Sequence, residues 1–426
     1  MIPAKLISKK RDGEFLSKDE LNTFFNGYLT NTVTDAQMSA MLMAIYFNGM
    51  NDEEIFSLVE VMLFSGSRIE FSDSKKYIAD KHSTGGVGDK VSIILAPIMA
   101  AAGINIPMIA GRGLGFTGGT IDKLESIPGF NTSADVHLFK KWVNKGGYAI
   151  ISQSDQICTA DKRIYALRSK TGTVPSIPLI CGSIMSKKIA EGISGLVLDI
   201  KVGNGTFMKT KKQAIELGTW MKKIGKSFNI KTDIVYTNMN QPLGRYGGLS
   251  CEIEESIKCL KGNGPKDLMN VVLTLGTKML IQAGLAKNES EANKIQTKII
   301  NSGEGLALFK SATKMQGGIL DKFNSQKKPK YENLIFVNNE GIIQSMDTES
   351  IGWALVKLDC VMHNKNNNLD YTAGIEFLKK VGEEVKNSEP VFRVFGSNKK
   401  KLNSITKKLQ SAIELGKNYK KISLIL

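Results

Sequence analysis

Ala110-Gly-Arg-Gly-Leu-Gly-Phe-Thr-Gly-Gly-Thr-Ile-Asp-Lys-Leu-Glu125 carries five glycines in nine residues and follows directly on the apolar run Ile106–Ala110. A short apolar run that ends in glycines reads as a strand emptying into a loop that lets its backbone approach a ligand. A second stretch, Asp80-Lys-His-Ser-Thr-Gly-Gly-Val-Gly-Asp89, has the same placement: it follows the strand-like Tyr77–Lys81 and opens the helix-like Val91–Ala102. Backbone N–H groups freed by glycine, together with the positive end of a helix, make an anion site. The spacing matches neither the Walker nor the dinucleotide-binding pattern, so the charged and hydroxylated residues around the glycines carry the argument. Loops at the carboxyl ends of parallel strands converge on one crevice, and Lys81, Ser83, Ser92 and Thr120 are therefore candidate donors to one bound anion.

Working outward, short apolar runs at Tyr148–Ile151, Leu196–Val202 and Asp233–Thr237 alternate with helical stretches at Ala134–Lys145 and Lys211–Ser227. That alternation predicts a mostly parallel sheet with helices against it. The first 65 residues read as helices alone, opened by capping-box patterns at Ser17/Glu20 and Thr34/Gln37 and a looser one at Asn51/Glu54. Met38–Phe47 is apolar almost all round and needs burial on several sides, in a core or a subunit interface. After Lys330 short β-like runs separated by turn residues predict a small C-terminal α+β unit. The expected class is α/β: an all-helical domain, a large α/β domain with a mostly parallel sheet, and that C-terminal unit.

The net charge of +16 raises a nucleic-acid reading, but the lysines are scattered among acidic residues, and the tract Lys399–Lys401 with Lys407 and Lys408 lacks interleaved aromatics. It reads as solvated surface. The chain has seven arginines, and three of them, Arg112, Arg163 and Arg168, fall between positions 110 and 170, which points to a small-molecule site. Five scattered cysteines without a CxxC pair read as reduced thiols, not as a disulfide frame or a zinc site. No run of about 18 uncharged apolar residues occurs, and charges fall where a signal peptide would need an apolar centre. A cytoplasmic protein with no membrane or nucleic-acid partner is expected.

A third segment joins Arg168 to Ser183 and Lys187, four residues apart and on one face if helical. Taken alone, such a Ser/Lys pair is more often a solvated face. The intervening Val174, Ile177, Leu179 and Ile180 offer an apolar wall, and polar donors beside such a wall suit a planar base with carbonyl oxygens.

With these three segments in this order the chain resembles the thymidine and pyrimidine-nucleoside phosphorylase family over nearly its whole length, most closely from Gly111 to Glu125. The resemblance implies a helical domain of residues 1–66 with 162–193, an α/β domain of 67–161 and 194–330, a C-terminal unit of 331–426, and a homodimer through the helical domain. It implies phosphorolysis of thymidine, deoxyuridine and uridine to free base and pentose 1-phosphate, with inorganic phosphate as co-substrate and no cofactor. Lys81, Ser83, Ser92 and Thr120 match the family's phosphate site. Arg168, Ser183 and Lys187 match its pyrimidine site, with Leu114, Val174, Ile180 and Phe207 as the apolar surround, and His82 falls beside base and sugar. His82, Arg168 and Lys187 are the expected catalytic group, Arg168 and Lys187 stabilising charge on the leaving base and His82 adding a hydrogen bond or proton. Tyr165, one turn before Arg168, is expected to support it.

Three departures carry expectations of their own. Ala110 stands where relatives have a phosphate-donating serine and Phe116 where a histidine is common, so weaker phosphate binding is expected, by about 1.5–3 kcal/mol for one charge-assisted bond. Met108 occupies the position where broader relatives carry a lysine that reaches a ribose hydroxyl, which predicts a preference for 2′-deoxynucleosides. Lys90 replaces a threonine that in some relatives helps hold potassium. Its ammonium is expected near the carbonyls of Leu243 and Tyr246, paired with Glu255, in place of the metal; the alternative is that Lys90 points into solvent. The rival readings are an anthranilate-type phosphoribosyltransferase, which needs paired magnesium-binding carboxylates, and a non-catalytic nucleic-acid-binding relative.

Overall fold

The computed structural model describes residues 2–154, 156–325, 328–361, 368–419, 421 and 423–426. Four helices open the chain: α1 Pro3–Arg11, α2 Lys18–Leu29, α3 Asp35–Asn48 and α4 Asp52–Phe64. Complete capping boxes start α2, α3 and α4, so each helix is nucleated by its own local sequence. Glu54 serves three times, closing the α4 box on Asn51 and accepting from buried Lys10 and from the Leu16 N–H, each at 2.9 Å. Phe24, Phe25, Met38, Met41 and Leu42 pack with Ala160, Ile164, Leu167 and Leu179 of two later helices, α8 (Thr159–Thr171) and α9 (Ile177–Ala190).

Five parallel-paired strands follow the sequence rhythm: β1 Ala79–Ser83, β2 Ile106–Ala110, β3 Tyr148–Ser152, β4 Gly195–Val202 and β5 Lys231–Asn238. β4 lies between β1 and β5, β2 pairs with β3, and a bridge from Ile78 to Asn105 joins the two groups. All of β4 is buried, with Val197 facing one core, among Ile94, Leu275 and Met279, and Leu196, Leu198 and Ile200 facing another, among Leu217, Met221 and Ile224. Helices cover both faces, as a two-sided parallel sheet requires: α5 Val91–Ala101, α6 Thr120–Leu124, α7 Val136–Gly146, α10 Lys211–Ser227, α11 Ser250–Leu260 and α12 Lys266–Gln282. β6 (Tyr246–Gly248) joins β9 (Gly374–Phe377), β11 (Pro390–Gly396) and β7 (Tyr331–Phe336) in an antiparallel sheet, and β10 (Glu384–Val385), β8 (Gly341–Met346) and β12 (Ile413–Gly416) form another.

Two elements differ from the sequence reading. β1 begins two residues later than Tyr77 and runs on through His82 and Ser83, because parallel pairing with Val197–Asp199 holds these polar residues extended. The Ser183/Lys187 pair, which taken alone reads as a solvated face, lies in the fourteen-residue α9, which is buried from Leu179 to Ala190. Pro178 lies in its first turn, where a missing N–H costs nothing, and so does not break it.

Candidate active site

One cavity opens where β1 and β2 empty into their glycine loops and faces α8 and α9 across a cleft. At the sheet side it is lined by Lys81, Ser83, Ser92 and Thr120, which come from β1, α5 and the start of α6. The Lys81 ammonium stands 3.4 Å from the Ser92 hydroxyl and 3.9 Å from Asp89. Gly85 and Gly88 adopt positive φ, and a Cβ at Gly88 would lie 2.4 Å from the Leu243 carbonyl, so the loop's tight course depends on that residue being glycine. Burial lowers the Lys81 ammonium from its usual range, and Asp89 and Asp199 oppose the shift.

Across the cleft the same cavity meets Arg168, Ser183 and Lys187, with His82 between the two ends. Lys187 donates to Asp161 at 2.6 Å and to Ser183 at 2.9 Å, so the Ser/Lys pair is a buried network and not a solvated face. Arg168 donates to the carbonyls of Leu179 at 3.0 Å and Val174 at 2.6 Å, which fix the guanidinium while leaving N–H groups for a ligand. Its pKa is lowered to about 10, chiefly by burial and against the pull of Asp161, so it is charged at neutral pH. Leu114, Val174, Ile180 and Phe207 line the cavity, as do Tyr165 and Met108. The Tyr165 ring lies 5.8 Å from the Lys187 ammonium.

His82 is driven well below the usual histidine range by burial and by the charges of Lys188, Lys187 and Lys81. A neutral imidazole can supply a hydrogen bond through its ring N–H. Ala110 ends β2 at the cavity wall. Phe116 is turned away from the cavity and packs against Phe207 and Trp353, with ring centroids 5.8 and 6.0 Å apart, tying the second glycine loop to the C-terminal unit.

Lys90 lies outside the cavity, 1% exposed, and therefore does not point into solvent. It donates to the carbonyls of Tyr246 at 2.7 Å and Leu243 at 3.2 Å and pairs with Glu255. Burial alone lowers such an ammonium, but Glu255 and Glu252 more than offset it and hold its pKa above the ordinary value.

Several functional neighbours escaped the sequence reading. Asp161 anchors Lys187 and accepts from Gln153 as well, and Lys188 pairs with Asp80 and Glu191 directly beneath the site. Asp161 sits in the first turn of α8, a place common for acidic residues whatever their task, so nothing in the sequence marked it.

Residues 75–306 match the glycosyl transferase family a/b domain, residues 4–66 its helical bundle domain, and residues 342–416 the pyrimidine nucleoside phosphorylase C-terminal domain. Pyrimidine-nucleoside phosphorylases from two Staphylococcus aureus strains are each 43% identical over 413 residues, covering 96% of this chain and 95% of theirs. The chain belongs to the pyrimidine-nucleoside phosphorylase family. Members of this family are pentosyltransferases, and so is this chain. An anthranilate phosphoribosyltransferase from Thermus thermophilus shares the fold at a TM-score of 0.56, with 16% identity, over 73% of this chain and 98% of that one. Identity that low speaks to fold alone, whereas the C-terminal match is to a phosphorylase domain.

Proposed function

We propose that the chain catalyses phosphorolysis of pyrimidine nucleosides, thymidine and deoxyuridine first and uridine less well, as a cytoplasmic homodimer without a cofactor. The observation that carries this reading is a single cavity with a basic, hydroxylated end at Lys81, Ser83, Ser92 and Thr120 and a second cationic end at Arg168 and Lys187, joined by apolar walls. Phosphate held at the first end attacks C1′ while the glycosidic bond breaks and the electron pair leaves on the base. Arg168 and Lys187 then stabilise the negative charge that develops on the pyrimidine, a contribution larger in the transition state than in the ground state. His82 adds a hydrogen bond to a base carbonyl, and Leu114, Val174, Ile180 and Phe207 hold the ring plane.

Met108 supports the deoxy preference: it is 2% exposed on β2, lines the cavity, and has no donor for a ribose hydroxyl. Lys90 supports independence from potassium, since its ammonium occupies a cage of carbonyls and a carboxylate. Initial rates of base release from thymidine, deoxyuridine and uridine, with and without phosphate, test the reading. Release that depends on phosphate and ranks uridine last is expected. Release indifferent to phosphate, or a uridine kcat/KM at or above that for thymidine, rejects the corresponding part.

A further inference from the structure

The sheet end of the cavity contains a group that an anion site should avoid. Asp89 lines the cavity beside Lys81 and Ser83, and its carboxylate is almost wholly buried. Its Oδ2 accepts the Ser83 hydroxyl at 2.5 Å, and its Oδ1 lies 3.3 Å from the Val91 N–H and 3.9 Å from the Lys81 ammonium. Ser83 in turn accepts the Gly85 N–H at 3.1 Å, so its single proton is committed to Asp89, and the hydroxyl expected to donate to the anion instead holds this carboxylate, leaving Lys81, Ser92 and Thr120 as the donors. Burial works against ionisation of Asp89, yet Lys201 and Lys81, the Ser83 hydrogen bond and Lys123 hold its carboxyl well below the usual range. A fixed carboxylate accepts hydrogen bonds and cannot donate one. An oxyanion set against it is repelled unless a proton lies between them.

We propose that Asp89 selects the anion: its carboxylate accepts the P–OH of hydrogen phosphate, so the site takes oxyanions that still carry a proton and rejects those that carry none. Phosphate and arsenate qualify at neutral pH, and sulfate, of the same shape and charge, does not. The proposal rests on the phosphorolysis reading and adds a direction to it. With its P–OH turned toward Asp89, the phosphate presents an unprotonated oxygen to C1′. That oxygen's lone pair forms the new O–C1′ bond as the C1′–N bond breaks and its electron pair leaves on the base. The P–OH proton remains on the ester through attack and is lost afterwards, and the base anion takes up one proton, so the net transfer is one proton from phosphate to base. A carboxylate that merely positioned Ser83 and the start of α5 would affect all tetrahedral anions alike.

The test measures kcat/KM and KM for phosphate and for arsenate, and the competitive Ki of sulfate, in the wild-type enzyme and in Asp89→Asn at one pH and ionic strength. In the wild type the sulfate Ki should exceed the phosphate KM by at least about 10-fold, the value of one hydrogen bond to a charged group. In Asp89→Asn the phosphate and arsenate KM should rise together, and the ratio of sulfate Ki to phosphate KM should fall on the order of 10–100-fold. An unchanged ratio, with all three anions weakened in parallel, overturns the proposal. So does a wild-type sulfate Ki at or below the phosphate KM, an arm that decides the matter even if the variant fails to fold. A wild-type chain that releases base with neither phosphate nor arsenate contradicts phosphorolysis itself, which is a separate failure.

Discussion

At the scale of single residues, the end of the cavity proposed for the base turns on Arg168, which lines the cavity and whose position is fixed by the carbonyls of Val174 and Leu179. Arg168→Ala removes a donor aimed at developing charge and should lower kcat/KM by on the order of 10²–10³. Steady-state kinetics on thymidine at saturating phosphate check this, and wild-type values reject the assignment. Lys90 carries a prediction of a different kind. If its ammonium does the work of a cation, the wild-type enzyme should be indifferent to potassium, whereas Lys90→Thr should need potassium for both activity and thermal midpoint at matched ionic strength. A wild-type enzyme that loses most of its activity without potassium contradicts the idea, and a variant indifferent to the ion shows that the lysine is not standing in for one. That Arg168, Ser183 and Lys187 share one cavity was legible in the sequence because a family motif marks them in order along the chain. Asp161, Gln153 and Asp80 were not, because what defines them is a partner distant in sequence or on another element.

At the scale of elements, the best-read features were local ones. Each capping box is written within four residues, so the starts of α2, α3 and α4 were visible before any packing was known. α9 is the element whose polar residues mislead when taken alone: the Ser183/Lys187 pair reads as a solvated face, and Lys188 and Glu191 beside it look no different. Their burial follows from the helix lying between the α4 side and the sheet, where Leu179 packs with Leu58 and Met62 while Ile184, Met185 and Ile189 pack with Leu196 and Leu198. Lys188 makes that position tolerable: it pairs with Asp80 on β1 and with Glu191 at 2.6 Å, and donates to the Ile109 carbonyl of β2 at 3.2 Å. It thereby joins the helix that carries Lys187 to the strand that carries Lys81. Burial, together with the charge of Asp80, raises the Glu191 carboxyl well above the usual range despite Lys188. Lys188→Met leaves both carboxylates buried without a cation and should cost about 3–5 kcal/mol, read as a lower thermal and denaturant midpoint. A midpoint unchanged from wild type means that the network does not hold the two elements together.

At the scale of the whole molecule, the two ends of the cavity belong to different layers, Lys81 and Ser83 to the parallel sheet with Ser92 and Thr120 on helices beside it, and Arg168, Ser183 and Lys187 to helices that pack with the N-terminal bundle. The alternation of strands and helices made the sheet legible, whereas the C-terminal edge was not: Leu424 and Leu426 run antiparallel along β5, the Asn238 N–H donating to Leu424 at 2.8 Å and the Leu426 N–H to Tyr236 at 2.9 Å. No periodic signal of three residues could announce that. On the bundle's outer side Tyr46 and Phe47 form an edge-on pair at the end of α3, with Phe47 75% exposed, an apolar surface in keeping with the proposed dimer. Sedimentation should find a dimer, and Phe47→Asp should shift it toward monomer without unfolding the chain; a wild-type monomer at every concentration rejects the assembly. The central claim, that one cavity brings phosphate and a pyrimidine nucleoside together, is tested most directly by following the reaction of thymidine with inorganic phosphate by phosphorus NMR while the free base is quantified. The account predicts a pentose 1-phosphate resonance that grows in a one-to-one ratio with thymine as inorganic phosphate is consumed. Thymine released with no loss of inorganic phosphate, or no thymine at all, would contradict it.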